Sequence, residues 1–124
     1  MEESPLVRVE ALRRQAGDLG ADSLEAPIVR RLVAVFLENA HETVPILSEA
    51  ADENDWATAR DAAHRLKGGA SHVGAVAMTK ASRALEQAVR EEELDQARHA
   101  ADKLPDLLAN TEEQLRETVG PLPE

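Results

Sequence analysis

The sequence predicts an all-α protein, an up-down antiparallel four-helix bundle with an additional N-terminal helix as a lid. Of its 124 residues, 22 are alanine, whereas it contains no tyrosine and one phenylalanine, a composition that favours helices over sheets. Apolar residues recur at three- and four-residue spacings, and short turn signals separate these stretches. Amphipathic helices joined by short turns pack as antiparallel neighbours, so we expect one domain over residues 1–124.

The first predicted helix begins at Ser4-Pro5, where a capping residue precedes a proline at the first helical position. It ends near Ala16, because the following Gly17 to Gly20 segment favours a turn. We expect residues 1–20 to form the lid.

The second predicted helix covers residues 24–51 and is capped by Asp22 or Ser23. Pro45 lies inside it and should kink the helix without ending it, because the apolar pattern resumes at once. Its buried side would consist of Ile28, Leu32, Phe36, Val44 and Leu47.

The third predicted helix covers residues 56–73, with Asn54 or Asp55 as its cap and Gly74 at its end. Its apolar stripe consists of Trp56, Ala59, Ala63, Leu66, Ala70 and Val73.

Two further helices complete the predicted bundle, over residues 76–92 and 94–118, the latter with a kink or break at Pro105. The fourth helix would bury Met78, Ala81, Leu85 and Val89, and the fifth Leu94, Ala97, Ala101, Leu104, Leu108 and Leu115. The bundle would thus occupy residues 24–118 and a tail residues 119–124.

Composition excludes several classes of function. The net charge of −10 argues against binding to nucleic acid or to an anionic membrane. Without cysteine, the chain can form no disulfide and use no thiol chemistry. No apolar run approaches the roughly 18 residues of a membrane span, and the acidic N-terminus lacks a signal-peptide pattern. We therefore expect a soluble cytoplasmic protein.

A second, polar stripe lies on the third helix, roughly 130° around it from the apolar one. It consists of His64, Lys67, Gly68 and Ser71. A glycine inside a helix costs about 1 kcal/mol relative to alanine, so the Gly68-Gly69 pair indicates a close approach to this backbone. Gly69 is nearer the core side, where we expect a close helix crossing.

The polar stripe suits the binding of a phosphoryl group. An imidazole of ordinary pKa, about 6.5, is largely neutral near pH 7 and is then a nucleophile. Lys67, one turn beyond His64, offers an ammonium to anything bonded to that ring, and Gly68 leaves room for loops of another protein. No catalytic triad, Walker-type phosphate loop or kinase motif set is present in the sequence.

Positive charge is concentrated around this stripe. Residues 60–83 have a local charge of +4, from five basic residues against Asp61 alone. We therefore expect an acidic pocket in a partner, with Arg60, Arg65, Gly68 and Ser71 as contacts. The five basic residues are Arg60, Arg65, Lys67, Lys80 and Arg83.

At these residues the sequence resembles the histidine-containing phosphotransfer (HPt) domains of multistep two-component phosphorelays. The matching residues are Ala63-His64-x-Leu66-Lys67-Gly68, then Gly74-Ala75 and Leu85-Glu86, with Phe36-Leu37-Glu38 and the acidic turn before Trp56 upstream. The resemblance covers residues 24–118. Ala70 stands where many members have a small hydroxyl residue, and Ser71 follows it.

The resemblance implies a phosphorelay intermediate with no ATP-dependent kinase activity. His64 would accept a phosphoryl group from a phospho-aspartyl receiver domain, or from a sensor kinase, and relay it to another receiver. Lys67 would stabilise the phosphate, and Gly68 would give the receiver room. The implied partners are response-regulator receiver domains and a hybrid sensor kinase. The protein would need no cofactor of its own, because the receiver would supply Mg²⁺.

Two alternatives stay open. Glu38-x-x-His41 and Asp61-x-x-His64 have the carboxylate–histidine spacing of di-metal four-helix bundles, to which Glu86 would add a ligand. Against a metal site, His64 lies off the apolar stripe. The other alternative is a non-catalytic helical adaptor that binds receivers without accepting phosphate.

Overall fold

A computed structural model describes residues 6–123 of the chain, and all regular secondary structure in this range is helical. The five helices are α1 (Val9–Asp18), α2 (Pro27–Asp52), α3 (Trp56–His72), α4 (Val76–Arg90) and α5 (Leu94–Val119). The predicted fold class, a four-helix bundle with an extra N-terminal helix, is confirmed. No helix in the described range is both long and apolar enough to cross a membrane.

The four long helices form a closed ring. α3 packs between α2 and α4, and α5 closes the ring against α4 and α2. α1 lies outside the ring, contacts α3 and contributes Leu12 and Ala16 to the common core. Each large aliphatic side chain buried there contributes about 1.5–3 kcal/mol. The largest fully buried side chains include Leu12, Leu47, Met78, Leu85, Leu104 and Leu115.

The segment before α1 is a strap across the α3–α4 turn. Ser4-Pro5, the predicted helix start, lies outside the described residues, but residues 6–8 are not helical, so the prediction of helix there is wrong. The N–H of Arg8 donates to the carbonyl of Gly74 (2.8 Å), and the N–H of Ala77 donates to the carbonyl of Leu6 (3.3 Å). These backbone groups are therefore paired across the turn, and α1 starts only at Val9.

The predicted register of α2 is wrong at its N-terminal end. The helix begins at Pro27, after Ala26 as its N-cap, and neither Asp22 nor Ser23 caps it. Ile28 is 45% exposed. Leu32 is half-buried, whereas the predicted burial of Phe36, Val44 and Leu47 is confirmed. The core-facing row instead includes Val29, Val33, Leu37 and Ala40.

The error arose because two apolar rows, one residue apart, run along this helix. A shift of one residue rotates the row by about 100°, and the periodicity alone did not decide between them. α2 continues through Pro45 to Asp52, as predicted, and α5 continues through Pro105 without a break.

The remaining helices follow the sequence prediction closely. The Oδ1 atom of Asp55 accepts from the N–H of Thr58 (3.2 Å), so Asp55 and not Asn54 caps α3. Trp56 is only half-buried and lies 5.3 Å from the guanidinium of Arg98. α4 ends at Arg90, two residues early, and Glu92 in the turn has a φ of 59°.

The predicted buried sides of α4 and α5 are largely confirmed. Met78 and Leu85 are fully buried, while Ala81 and Val89 are half-buried. On α5 every predicted core residue is buried except Leu94, which is 43% exposed at the first helical position.

Gly74 is required by the strap. Its φ is +70°, and a Cβ built there would lie 2.6 Å from the carbonyl oxygen of Arg8. We expect Gly74→Ala to lower the free energy of unfolding by about 2 kcal/mol, from left-handed strain and displacement of the strap. Urea denaturation measures this change. Gly17→Ala is the control, since Gly17 has open space around it, and should raise stability by roughly 0.5–1 kcal/mol. Equal stability of Gly74→Ala and the wild type would contradict the assigned role of the strap.

Candidate functional site

The polar stripe of α3 is an exposed row between α2 and α4. His64, Gly68 and Ser71 are exposed, and Lys67 is partly exposed. The side chain of His64 is 70% exposed to solvent. The alanines and Leu66 on the other side of α3 are buried, which fixes the rotation of the helix and directs this row outward.

Glu86 on α4 holds the His64 ring from one side. Its Oε2 atom lies 3.1 Å from Nδ1 of His64. Because an ionised carboxylate can only accept a hydrogen bond, Nδ1 carries the proton and donates it. The other ring nitrogen, Nε2, is then left with a free lone pair on a largely exposed side chain.

The same carboxylate also binds Lys67. Its Oε1 atom lies 2.7 Å from Nζ of Lys67, so the two groups form an ion pair. The Glu86 side chain is only 10% exposed. Burial raises the pKa of Glu86, but the hydrogen bonds and charges of Lys67 and His64 outweigh it, so the pKa is lowered overall. One ionised carboxylate therefore links two residues of the predicted stripe to α4.

Glu86 is the site residue whose role the sequence reasoning missed. Leu85-Glu86 was part of the matching pattern, but the pattern assigned it no function. The sequence did contain one indication of this role, because Glu86 lies on the core-facing side of an amphipathic helix. A charged residue in that position needs a partner. On α4, Arg83 and Arg90 stand three residues before and four after Glu86, which places two exposed cations on the same side of the helix.

The two glycines of α3 have different environments. A Cβ at Gly68 would meet nothing within 4 Å, so the space over this position is open. A Cβ at Gly69 would come within 3.3 Å of Cδ1 of Phe36. The prediction that Gly69 permits a close helix crossing is therefore confirmed, and Gly68 is left as an uncovered piece of helix surface next to His64.

The predicted basic face is divided in the structure. Arg60 lies 3.8 Å from Asp61, and Arg65 lines a groove between α3 and α2. Lys80 faces away from α3 and lines a groove between α4 and α5, so the prediction of one basic face is wrong there. The hydroxyl of Ser71 donates to the carbonyl of Gly68 (2.9 Å) and does not orient the ring of His64.

An apolar row on α2 adjoins the stripe of α3. Ile28, Val35 and Ile46 are exposed, and their spacing brings them back to the same side of the helix. Asn39, on that side as well, lines the α2–α3 groove, which has a volume of about 320 Å³. The row was missed because Ile28 was predicted to be in the core.

The two carboxylate–histidine pairs of the di-metal alternative are not brought together. His41 contacts Glu112 of α5 (2.6 Å), while His64 contacts Glu86. Among residues 6–123 no group of three or more histidine or acidic side chains is arranged to hold a metal ion.

Comparison with known families agrees with this geometry. The family model described as "Hpt domain" matches residues 31–116. The chain therefore belongs to the Hpt domain family. Members of this family serve histidine phosphotransfer in phosphorelays and interact with receiver domains. No curated protein and no solved structure matches the chain significantly.

The ion pairs of Glu86 predict a pH dependence of stability. A carboxylate with a folded-state pKa below its ordinary value of 4.5 stabilises the fold above that pH, and this contribution is lost as the pH falls through the lower value. We expect the free energy of unfolding of the wild type to exceed that of Glu86→Gln by about 1 kcal/mol between roughly pH 5 and 7. This difference in stability should shrink below pH 4.5. Urea denaturation across this range measures it, with the exposed Glu38→Gln as control. A difference that grows on acidification would contradict the assigned ion pairs.

Proposed function

We propose that His64 is the phospho-acceptor of this Hpt domain and that Glu86 and Lys67 support its chemistry. The observation that carries the proposal is the arrangement of these three side chains. A buried carboxylate orients the ring through Nδ1, the ring is largely exposed to solvent, and a lysine stands one turn away. Among the described residues, no other histidine shares its carboxylate partner with a lysine.

The proposed reaction is an in-line displacement at phosphorus. The lone pair of Nε2 attacks the acyl phosphate of a receiver, and the P–O bond to the receiver's aspartate breaks with its electron pair passing to the carboxylate. The ring then carries a positive charge while Nδ1 keeps its proton. The Glu86 carboxylate is already in place to stabilise that charge, so little reorganisation is needed.

Lys67 would change its partner during this reaction, from the Glu86 carboxylate to the phosphoryl group. Before transfer its ammonium is paired with Oε1 of Glu86. The new phosphoryl group on Nε2 offers three acceptor oxygens, and a flexible lysine stem can move the ammonium to them. Transfer to the next receiver reverses these steps. The chain is thus a carrier in the relay, with Mg²⁺ supplied by the receivers.

The proposed receiver-binding surface is centred on α3 and extends over α2. Gly68 leaves the helix backbone open beside His64, Arg60 and Arg65 provide positive charge, and Ser71 lies further along the same row. The exposed row of Ile28, Val35 and Ile46 adds apolar area on α2. We propose a transient interface of about 1,000–1,200 Å².

The proposal extends to the setting of the protein. The donor and acceptor are receiver domains, including that of a hybrid sensor kinase, and the protein acts as a monomer in the cytoplasm. The family membership supports the receivers as partners.

Phosphotransfer to His64 is tested with a labelled, phosphorylated receiver and Mg²⁺. We expect acid-labile label on the wild-type chain and none on His64→Gln, because glutamine offers no nucleophilic nitrogen. His72→Gln is the matched control, a histidine of the same helix that should leave labelling unchanged. Binding of the receiver without transfer to wild type would support the adaptor alternative. Equal labelling of wild type and His64→Gln would exclude His64 as the acceptor.

Because the space at Gly68 is open, we expect a larger side chain there to weaken receiver binding without lowering the stability of the fold. Gly68→Gln should leave the thermal unfolding midpoint within a few degrees of wild type, since a Cβ meets nothing there. It should weaken receiver binding about tenfold or more, because the side chain would occupy the docking surface. Gly17→Gln, also in open space but on α1, should bind normally. Titration of each variant with a receiver measures the affinity, and an unchanged affinity of Gly68→Gln would contradict the docking assignment.

A further inference from the structure

A groove between α4 and α5 takes no part in the arrangement around His64. It has a volume of about 550 Å³. Alanines from both helices line it, and on α4 they recur as Ala77, Ala81 and Ala84, one residue per turn of the helix. Ala100 continues this surface on α5. Such a row of small side chains lets another helix approach closely.

The charge of this groove is opposite to that of the chain. Lys80, His99 and Lys103 line it, and none of its nine lining residues is acidic. Yet 24 of the 124 residues are aspartate or glutamate, and the net charge is −10. The α2–α3 groove, in contrast, includes Glu42, and the groove between α2 and α5 includes Glu38 and Glu112.

The groove and the candidate phosphotransfer site lie on different sides of α4. Glu86 follows Ala77 by about two and a half helical turns and therefore points the opposite way. No residue of α3 lines the groove. A partner lying there would leave His64 and Gly68 uncovered.

We propose that the α4–α5 groove is a second docking surface, which takes an acidic amphipathic helix of a partner protein while α3 stays free for a receiver. The groove extends along α5 from Gln96 to Leu107, or about 16 Å at the helical rise per residue, which accommodates about three turns of a helix. Lys80 and Lys103 would pair with carboxylates flanking a small apolar face. A second copy of this chain fits less well, because two bodies of net charge −10 repel each other.

The test uses the whole chain labelled with ¹⁵N and a helical peptide of about 15 residues, with alanine and leucine on one face and glutamate on both flanks. We expect its addition to shift the amide signals of Ala81, Ala84 and Ala100 and to leave those of α3 in place. A peptide with lysine in place of glutamate should not bind. No binding of the glutamate peptide, shifts centred on α3, or self-association of the chain through this groove would each overturn the proposal.

Charge-reversal variants distinguish the groove from a general electrostatic effect. Lys80→Glu/Lys103→Glu should weaken peptide binding about tenfold or more. Arg13→Glu/Arg14→Glu changes the net charge by the same amount on the exposed side of α1 and should bind as wild type does. Equal weakening by both double variants would overturn the assignment of the groove.

The independence of the two surfaces rests on the proposed function and is measured separately. Transfer of phosphate from a receiver to His64 should proceed at the same rate, within about twofold, in the presence of saturating glutamate peptide, because the surfaces lie on opposite sides of α4. Inhibition by the peptide would overturn simultaneous binding. Peptide binding requires no phosphate, so a failure of His64 to accept phosphate would leave the result for the groove unaffected.

Discussion

Close packing of α3 against its two neighbours is the constraint on which the candidate site depends. Its buried side is almost entirely alanine, with Leu66 as the one large residue, and Gly69 lies directly against Phe36 of α2. Small side chains let helix axes approach toward the lower end of the usual 8–10 Å range. A glutamate on α4 can therefore reach a histidine and a lysine that both point away from the core. With larger residues in this layer the three groups would not meet.

The linkage through Glu86 also explains how a charged cluster exists beside an apolar core. A carboxylate that is largely removed from water is costly unless it is paired, and here two cationic or hydrogen-bonding partners from α3 share it. The partners remain partly or largely exposed, so the arrangement can exchange one of them without opening the core. Glu86 is held on a packed helix, whereas Lys67 has a flexible side chain. This combination suits a site that must accept a phosphoryl group and release it again.

The helices and the polar row were predictable because both follow from short-range spacing. The apolar periodicity located all five helices, and Asp55 and Gly74 marked the limits of α3 correctly. What failed depended on tertiary contacts: the strap of Leu6 to Arg8 is not helical because the α3–α4 turn provides its hydrogen bonds. The rotation of α2 was ambiguous because apolar residues occur on two adjacent rows. Glu86 and Lys80 were misjudged because a sequence window does not show which helix face meets which neighbour.

The guanidinium of Arg30 connects the first turn of α2 to the last residue of α5. Its Nε–H donates to the carbonyl of Val119 (2.9 Å), so the start of α2 lies beside the end of α5. A force that separates the start of α2 from the end of α5 would act on this hydrogen bond first and would then separate the two helices from that end. The α3–α4 hairpin lies across the bundle from that seam. Opening of that seam would therefore leave in place the pair of helices that carries His64 and Glu86.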